Sequence, residues 1–377
     1  MTTSPRRLTL SGLLLLSAPV VQATPADDAY ITGYAAATLK QQLKLDIPAL
    51  TVKDGVISLP AADLSSAQRS EATRVLTEIH GVNGVKLATT SEQQTQADSL
   101  VDADTTTVTT ADTLILPVGV LPSGHLFKPL LADPRWAHFS ATYRNYQSNN
   151  FDGRNIASVS FGETIPFYRG NFGHSTAQWE TGVQAGVFSD FNLDTSSSDL
   201  LNTDFIASLY SSVRAEQFSV FGRVYHQSSH LGDEFLLRKA NTQFERVNLS
   251  YEGVDLKLSY ELPYGVRVYG GGGGLFHKEP AALKTWSSQY GVEFRSPWRL
   301  ELAAMRPIIA VDIKNYDQNN WSSDISARAG VEFDHSKFLG RKLQLMVEYF
   351  NGYTPSGQFY KDKVEYVGLG AHYQRVS

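Results

Sequence analysis

A chain of 377 residues, 42% hydrophobic and 19% charged, carries a net charge of -5 and no cysteine. The missing thiols exclude a structural disulfide, a thiolate metal site and a lipoprotein anchor, and scattered basic groups at a pI near 6.0 give no nucleic-acid footprint. The length alone is that of two or three domains. In chain order, Arg6 and Arg7 precede an apolar run over 8–21, and Val21-Gln22-Ala23 fits a small-residue cleavage site, so residues 1–23 read as a signal peptide. No later segment approaches the roughly 18 consecutive apolar residues of a membrane helix.

Residues 24–89 read as a small soluble α+β unit. Tyr30, Ala35, Ala36, Leu39 and Leu43 recur at helical spacing, and 61–79 repeats the pattern with Ser65 as a cap. Between them 50–59 alternates around the turn Lys53-Asp54-Gly55, and 84–88 makes a closing strand. This order of helix, hairpin, helix and strand, with Asp54-Gly55-Val56-Ile57-Ser58-Leu59 followed by Ile79-His80-Gly81-Val82-Asn83-Gly84-Val85, resembles the BON domain of Gram-negative envelope proteins. The resemblance implies a periplasmic module that engages lipid headgroups or an envelope partner, without catalysis. Residues 90–125, rich in Thr, Asp, Gln and Ser at their start, read as an acidic linker. The stretch 127–136 then leads into the first strand.

Within a barrel domain expected over 126–377, the chain from about Trp136 onward switches between apolar and polar one residue at a time. Trp179, Thr181, Val183, Ala185 and Val187 alternate with Glu180, Gly182, Gln184 and Gly186, and the pattern returns around Trp286 and around Ile325. A period of two assigns alternate side chains to opposite faces of a strand. Its repetition behind a secretory signal predicts a mainly β fold, an antiparallel transmembrane β-barrel of about 12 strands with a small α+β periplasmic domain, in the outer membrane. The strands are expected near 136–147, 154–165, 175–188, 202–214, 217–230, 241–262, 265–276, 285–296, 299–314, 321–334, 341–350 and 363–374. Tight connections follow the even strands, which puts both termini in the periplasm. Trp136, Trp179, Trp286, Trp298 and Trp321 fall at segment ends, where interfacial aromatic girdles belong.

Two breaks in parity, at Glu252-Gly253 and near Arg306-Pro307, read as β-bulges. The lumen is expected to hold Arg144, Glu180, Arg223, Asp255, Lys257, Glu261, Arg267, Glu293, Arg295, Arg328, Glu332 and Glu348, mixed charges that pair and favour a closed or narrow interior. The glycines at 270–274 are followed by no Lys-Ser/Thr and no helix, so they read as sites of bending or close packing.

Parity along the fifth strand puts His226 and Ser228 on the lipid side. A His two positions before a Ser on one face sets an imidazole beside a hydroxyl that it can activate. The bland reading is that both mark the outer interface. His226-Gln227-Ser228 resembles the His-x-Ser motif of outer-membrane phospholipase A and lipid A deacylases, which implies a lipid esterase acting on outer-membrane lipids or lipopolysaccharide. Those enzymes follow Ser with Asn, where this chain has Ser229, and take their orienting group about twelve residues on, where it has Ala240. The third member is therefore Asn241, Gln243, Glu245 or Glu252. Asp233 and Glu234 in the following loop can supply oxygen ligands to Ca²⁺, against a bland reading as a solvated turn; no other cofactor is expected.

The segments 127–143, 223–234 and 349–360 together resemble an uncharacterised bacterial family defined as a domain of unknown function. The residues leave three roles open: an envelope barrel with a structural or interaction role, the lipid esterase, and a narrow solute channel.

Overall fold

The computed structural model describes residues 25–47, 49–61, 64–88, 113–148, 153–173, 175–239, 247–298, 300, 305–338 and 341–375. The expected signal peptide lies outside them. The N-terminal domain follows the predicted order: α1 (Pro25–Gln42), β1 (Thr51–Lys53), β2 (Val56–Pro60), α2 (Ser66–Thr77) and β3 (Gly84–Ala88). Asp54 and Gly55 take positive φ in the hairpin turn, and their amides donate to the Asp28 carboxylate at 2.8 Å each. Ser65 caps α2 in a reciprocal box with Gln68. Ile31, Ala35 and Leu39 from α1 meet Ile57, Leu59, Leu76 and Val85 in the core. Tyr30, expected on that face, is instead 66% exposed and stacks on exposed Tyr34, because Ile31 takes the inward position. A further strand, β4 (Thr113–Ile115), pairs with β3, and β5 (Gly119–Val120) joins the barrel sheet, so the stretch expected to be linker carries structure from 113 onward.

The barrel strands are β6 (Phe139–Ser148), β7 (Asn155–Asn171), β8 (Gln178–Asn192), β9 (Asp199–Ala215), β10 (Phe218–Leu231), β11 (Leu249–Glu261), β12 (Val266–Glu279), β13 (Trp286–Arg295), β14 (Met305–Tyr316), β15 (Ser323–Phe338), β16 (Arg341–Tyr353) and β17 (Lys363–Arg375). Each pairs antiparallel with its chain neighbours and β6 pairs with β17, so twelve strands close on themselves and no edge is left. Connections such as 216–217 and 262–265 mark a turn end, and 232–248 and 354–362 an opposite loop end. Trp286, Trp298 and Trp321 lie exposed at or beside strand ends, as an interfacial girdle requires.

The predicted lumenal charges pair inside. Arg144 meets Glu348 at 3.0 Å, Arg223 meets Asp255 at 2.8 Å, Arg267 meets Glu293 at 3.1 Å, Arg295 meets Glu332 at 2.6 Å and Arg328 meets Glu348 at 2.7 Å. The lumen also holds a strap that alternation does not reveal. Residues 116–138 enter at the turn end, where Arg169 donates to the carbonyls of Pro117, Ser123 and Gly124 and Lys128 pairs with Glu261 at 2.5 Å. The strap climbs to Asp133, which accepts from Lys314 at 2.5 Å, and to Arg135, which pairs with Asp204 and donates to the Pro355 carbonyl. It then returns to β6. Leu126, Phe127, Leu130, Leu131 and Trp136 are all buried.

Three expectations change, the first two because of the strap. Trp136 packs on Phe127 and Phe221 inside the barrel and belongs to no girdle. The apolar residues at the second parity break, Ile308 and Ala310, point inward onto Leu131 and Ala132, and the register through Arg306-Pro307 is unbroken. The first break does carry a register shift between Glu252 and Gly253, but the extra residue is Phe276 on β12; Leu249 and Tyr251 face inward like the rest of their set. Along 270–274, β12 approaches β11 so closely that a Cβ on Gly271 would run into the Leu256 carbonyl.

Candidate functional site on the outer wall

β10 alternates cleanly. Ser219, Phe221 and Ser229 are buried inside, while Val224, His226 and His230 are exposed on the outer face and Ser228 lies half-buried between them. The register sets His226 opposite Glu252 and Ser228 opposite Ser250. Val224, Val254, Leu256 and Leu258 form the apolar wall on the turn side of this polar group, which fits the lipid-facing band of a barrel. The polar residues therefore begin where that band ends.

His226 Nδ1 lies 2.7 Å from Glu252 Oε1, and the second oxygen of Glu252 bonds His277 Nδ1. His277 reaches this face through the bulge. Gly274 and Phe276 point outward, and the extra residue turns His277 outward as well, opposite Glu252; β-bulges re-aim side chains in this way. A carboxylate on Nδ1 fixes the imidazole tautomer that leaves Nε2 as a proton acceptor. His226 and Ser228 share the face but are not hydrogen-bonded to each other in this structure.

Of the four alternatives for the third member, Glu252 is the one found on His226; Asn241, Gln243 and Glu245 lie outside the described residues. Ser229, at the position where the resembled motif has Asn, points into the lumen and donates to Asn202 at 3.0 Å. Asp233 and Glu234 open the short helix α3 (Asp233–Lys239), both exposed, where carboxylates suit the amino-terminal turn. No cluster of three metal-ligating side chains forms among the described residues. Sequence reasoning missed His277, because its outward aim depends on a register shift against the neighbouring strand. The signal was present in the pair Phe276-His277, which breaks the alternation.

At the loop end, the three segments that carried the family resemblance converge. Arg135 of the strap meets the Pro355 carbonyl at 2.8 Å, Gln358 donates to the Ser229 carbonyl at 2.8 Å, and the Gly357 amide donates to Asp204 at 3.0 Å. Phe235 of α3 packs edge-on against Phe359 at 5.6 Å.

The fold is similar to that of outer membrane phospholipase A from Escherichia coli, with 14% identity, 67% of this chain and 95% of that one covered, and a TM-score of 0.46. The outer membrane phospholipase of Salmonella typhi, a dimer with bound calcium, gives 14% identity, 65% and 95% coverage and a TM-score of 0.47. KdgM porin gives 11%, 61% and 97%, with a TM-score of 0.32. At these identities the likeness concerns the barrel architecture alone. No curated protein matches the chain. Residues 42–375, which take in most of the N-terminal domain and the whole barrel, match the family described as Protein of unknown function (DUF1207), and the chain belongs to that family.

Proposed function

We propose that this protein is an outer-membrane lipid acyl hydrolase of the serine type, with its reacting groups on the outer wall. The observation that carries this reading is the 2.7 Å contact between His226 Nδ1 and Glu252 Oε1, with Ser228 on the same face. Ser228 Oγ attacks the acyl carbonyl and its proton passes to His226 Nε2. The imidazolium, held by Glu252, returns that proton to the departing alkoxide, and water then cleaves the acyl-serine by the same path. His277 holds the other oxygen of Glu252 and acts as a positioning residue. The Ser228–His226 hydrogen bond forms when substrate packs against the wall, as catalytic contacts commonly tighten on binding. The chemistry calls for a substrate whose acyl ester sits at the membrane surface, a phospholipid or lipopolysaccharide.

The test is fatty-acid release from phospholipid and from lipopolysaccharide by purified protein. Ser228→Ala and His226→Ala are expected to lose about 10²–10⁴-fold, the range of a missing general base or nucleophile partner, and Glu252→Gln to lose less. Equal release by wild type and Ser228→Ala would sink the assignment.

A second role is compatible with the first. The N-terminal domain is proposed to be a BON-like module in the periplasm that engages lipid headgroups or an envelope partner. The exposed Tyr30–Tyr34 stack, with ring centroids 6.0 Å apart, favours this, because paired aromatics with one apolar and one polar end suit a lipid or protein interface.

A further inference from the structure

We infer that the loop-end half of the lumen is a binding site for a neutral sugar ring, separate from the outer-wall site. Above the strap a cavity of 190 Å³ opens. Pro134 and Arg135 line it from the strap, Tyr225 and Gln227 from β10, Tyr353 from the end of β16, and Pro355 and Tyr360 from the β16–β17 loop. These are residues of the strap and of two of the segments that carry the family resemblance, gathered around one space.

The lining explains what fits. Its cations are already held by carboxylates. Arg223 and Lys257 share Asp255 at 2.8 and 2.7 Å, Lys314 holds Asp133 and Arg135 holds Asp204. An anion would have to break one of these pairs, which are costly to open once buried. By contrast, the hydroxyls of Tyr225, Tyr251, Tyr316, Tyr353 and Tyr360 and the Gln227 amide make no hydrogen bond to another described residue. Hydroxyl and amide groups both donate and accept. Asp324, buried at the rim, takes the Tyr353 amide on Oδ1 at 2.6 Å and keeps Oδ2 for a ligand hydroxyl. Aromatic faces beside groups that both donate and accept, with the lining cations already held by carboxylates, match a ring with apolar C–H faces and a hydroxylated edge. The volume is below the roughly 300 Å³ at which pockets for drug-sized ligands begin, which sets the occupant at one ring.

The experiment is isothermal titration of the full-length protein in detergent micelles with glucose, galactose and N-acetylglucosamine, each alone, and with glucuronate and inorganic phosphate as charged comparators. At least one neutral sugar is expected to bind tenfold more tightly than glucuronate. Tyr251→Ala should weaken it tenfold or more, and Tyr251→Phe, which leaves packing intact, and Gln227→Ala, which removes the amide, by a smaller measurable factor. His226→Ala should leave sugar binding unchanged. No heat above empty micelles for any neutral sugar, tighter binding of glucuronate or phosphate, or unaltered affinity in both Tyr251→Phe and Gln227→Ala would overturn the proposal.

Discussion

Arg135 shows what a single residue does here. Its guanidinium pairs with Asp204, which is 2% exposed, and donates to the Pro355 carbonyl. Replacing it with leucine keeps a comparable apolar stem but leaves Asp204 with the Gly357 amide as its remaining bonded donor. Removing one partner of a buried ion pair costs about 3–5 kcal/mol, so Arg135→Leu should lower the denaturation midpoint by a corresponding amount. Adding Asp204→Asn to the same chain should recover much of the loss, since the stranded charge is then gone. A double variant no more stable than the single one would show that Arg135 acts through Pro355 instead. The lumenal charges were legible from parity alone, but Asp204 and Arg135 were not. A period of two fixes the side of a wall that a residue faces, and it is silent about which partner arrives from elsewhere in the chain.

At the scale of elements, alternation located all twelve barrel strands. It misjudged places where the lumen is apolar. Leu249 and Tyr251 on β11 and Ile308 and Ala310 on β14 face inward, against the rule that apolar side chains face lipid, because a cavity and the strap meet them there. The strap has no period of its own: Phe127, Leu130, Leu131 and Trp136 are placed by the lumen that receives them. Glu252 could be found by counting along β11 against β10, whereas His277 could not, since Phe276 shifts the count. β12 carries a further constraint. Its inward Gly271 has the Leu256 carbonyl where a Cβ would stand, and such overpacking costs about 1–3 kcal/mol. Gly271→Ala should therefore unfold at a lower temperature than wild type on a heat-modifiability gel, while Gly270→Ala, whose added carbon meets only ordinary contacts, should behave as wild type.

The whole molecule is a closed barrel whose lumen is stopped by its own chain. The ion pairs and the strap fill the turn-end half, and α3 with the 354–362 connection covers part of the loop end. Wild-type protein in a planar bilayer is expected to stay electrically silent, and a variant with residues 126–135 replaced by glycine and serine to give discrete openings. Sustained wild-type conductance would restore the channel reading.

The strap is also a mechanical line. It leaves β4 of the N-terminal domain, passes the length of the interior, and is knotted at Arg135 to the Pro355 connection on the far side. Tension applied to the domain would be felt first at the turn end, where β5 is hydrogen-bonded to β7 and Arg169 holds the carbonyls of Pro117, Ser123 and Gly124, and would reach the Pro355 connection only after those bonds give. The wall thus screens the far connection from movements of the domain.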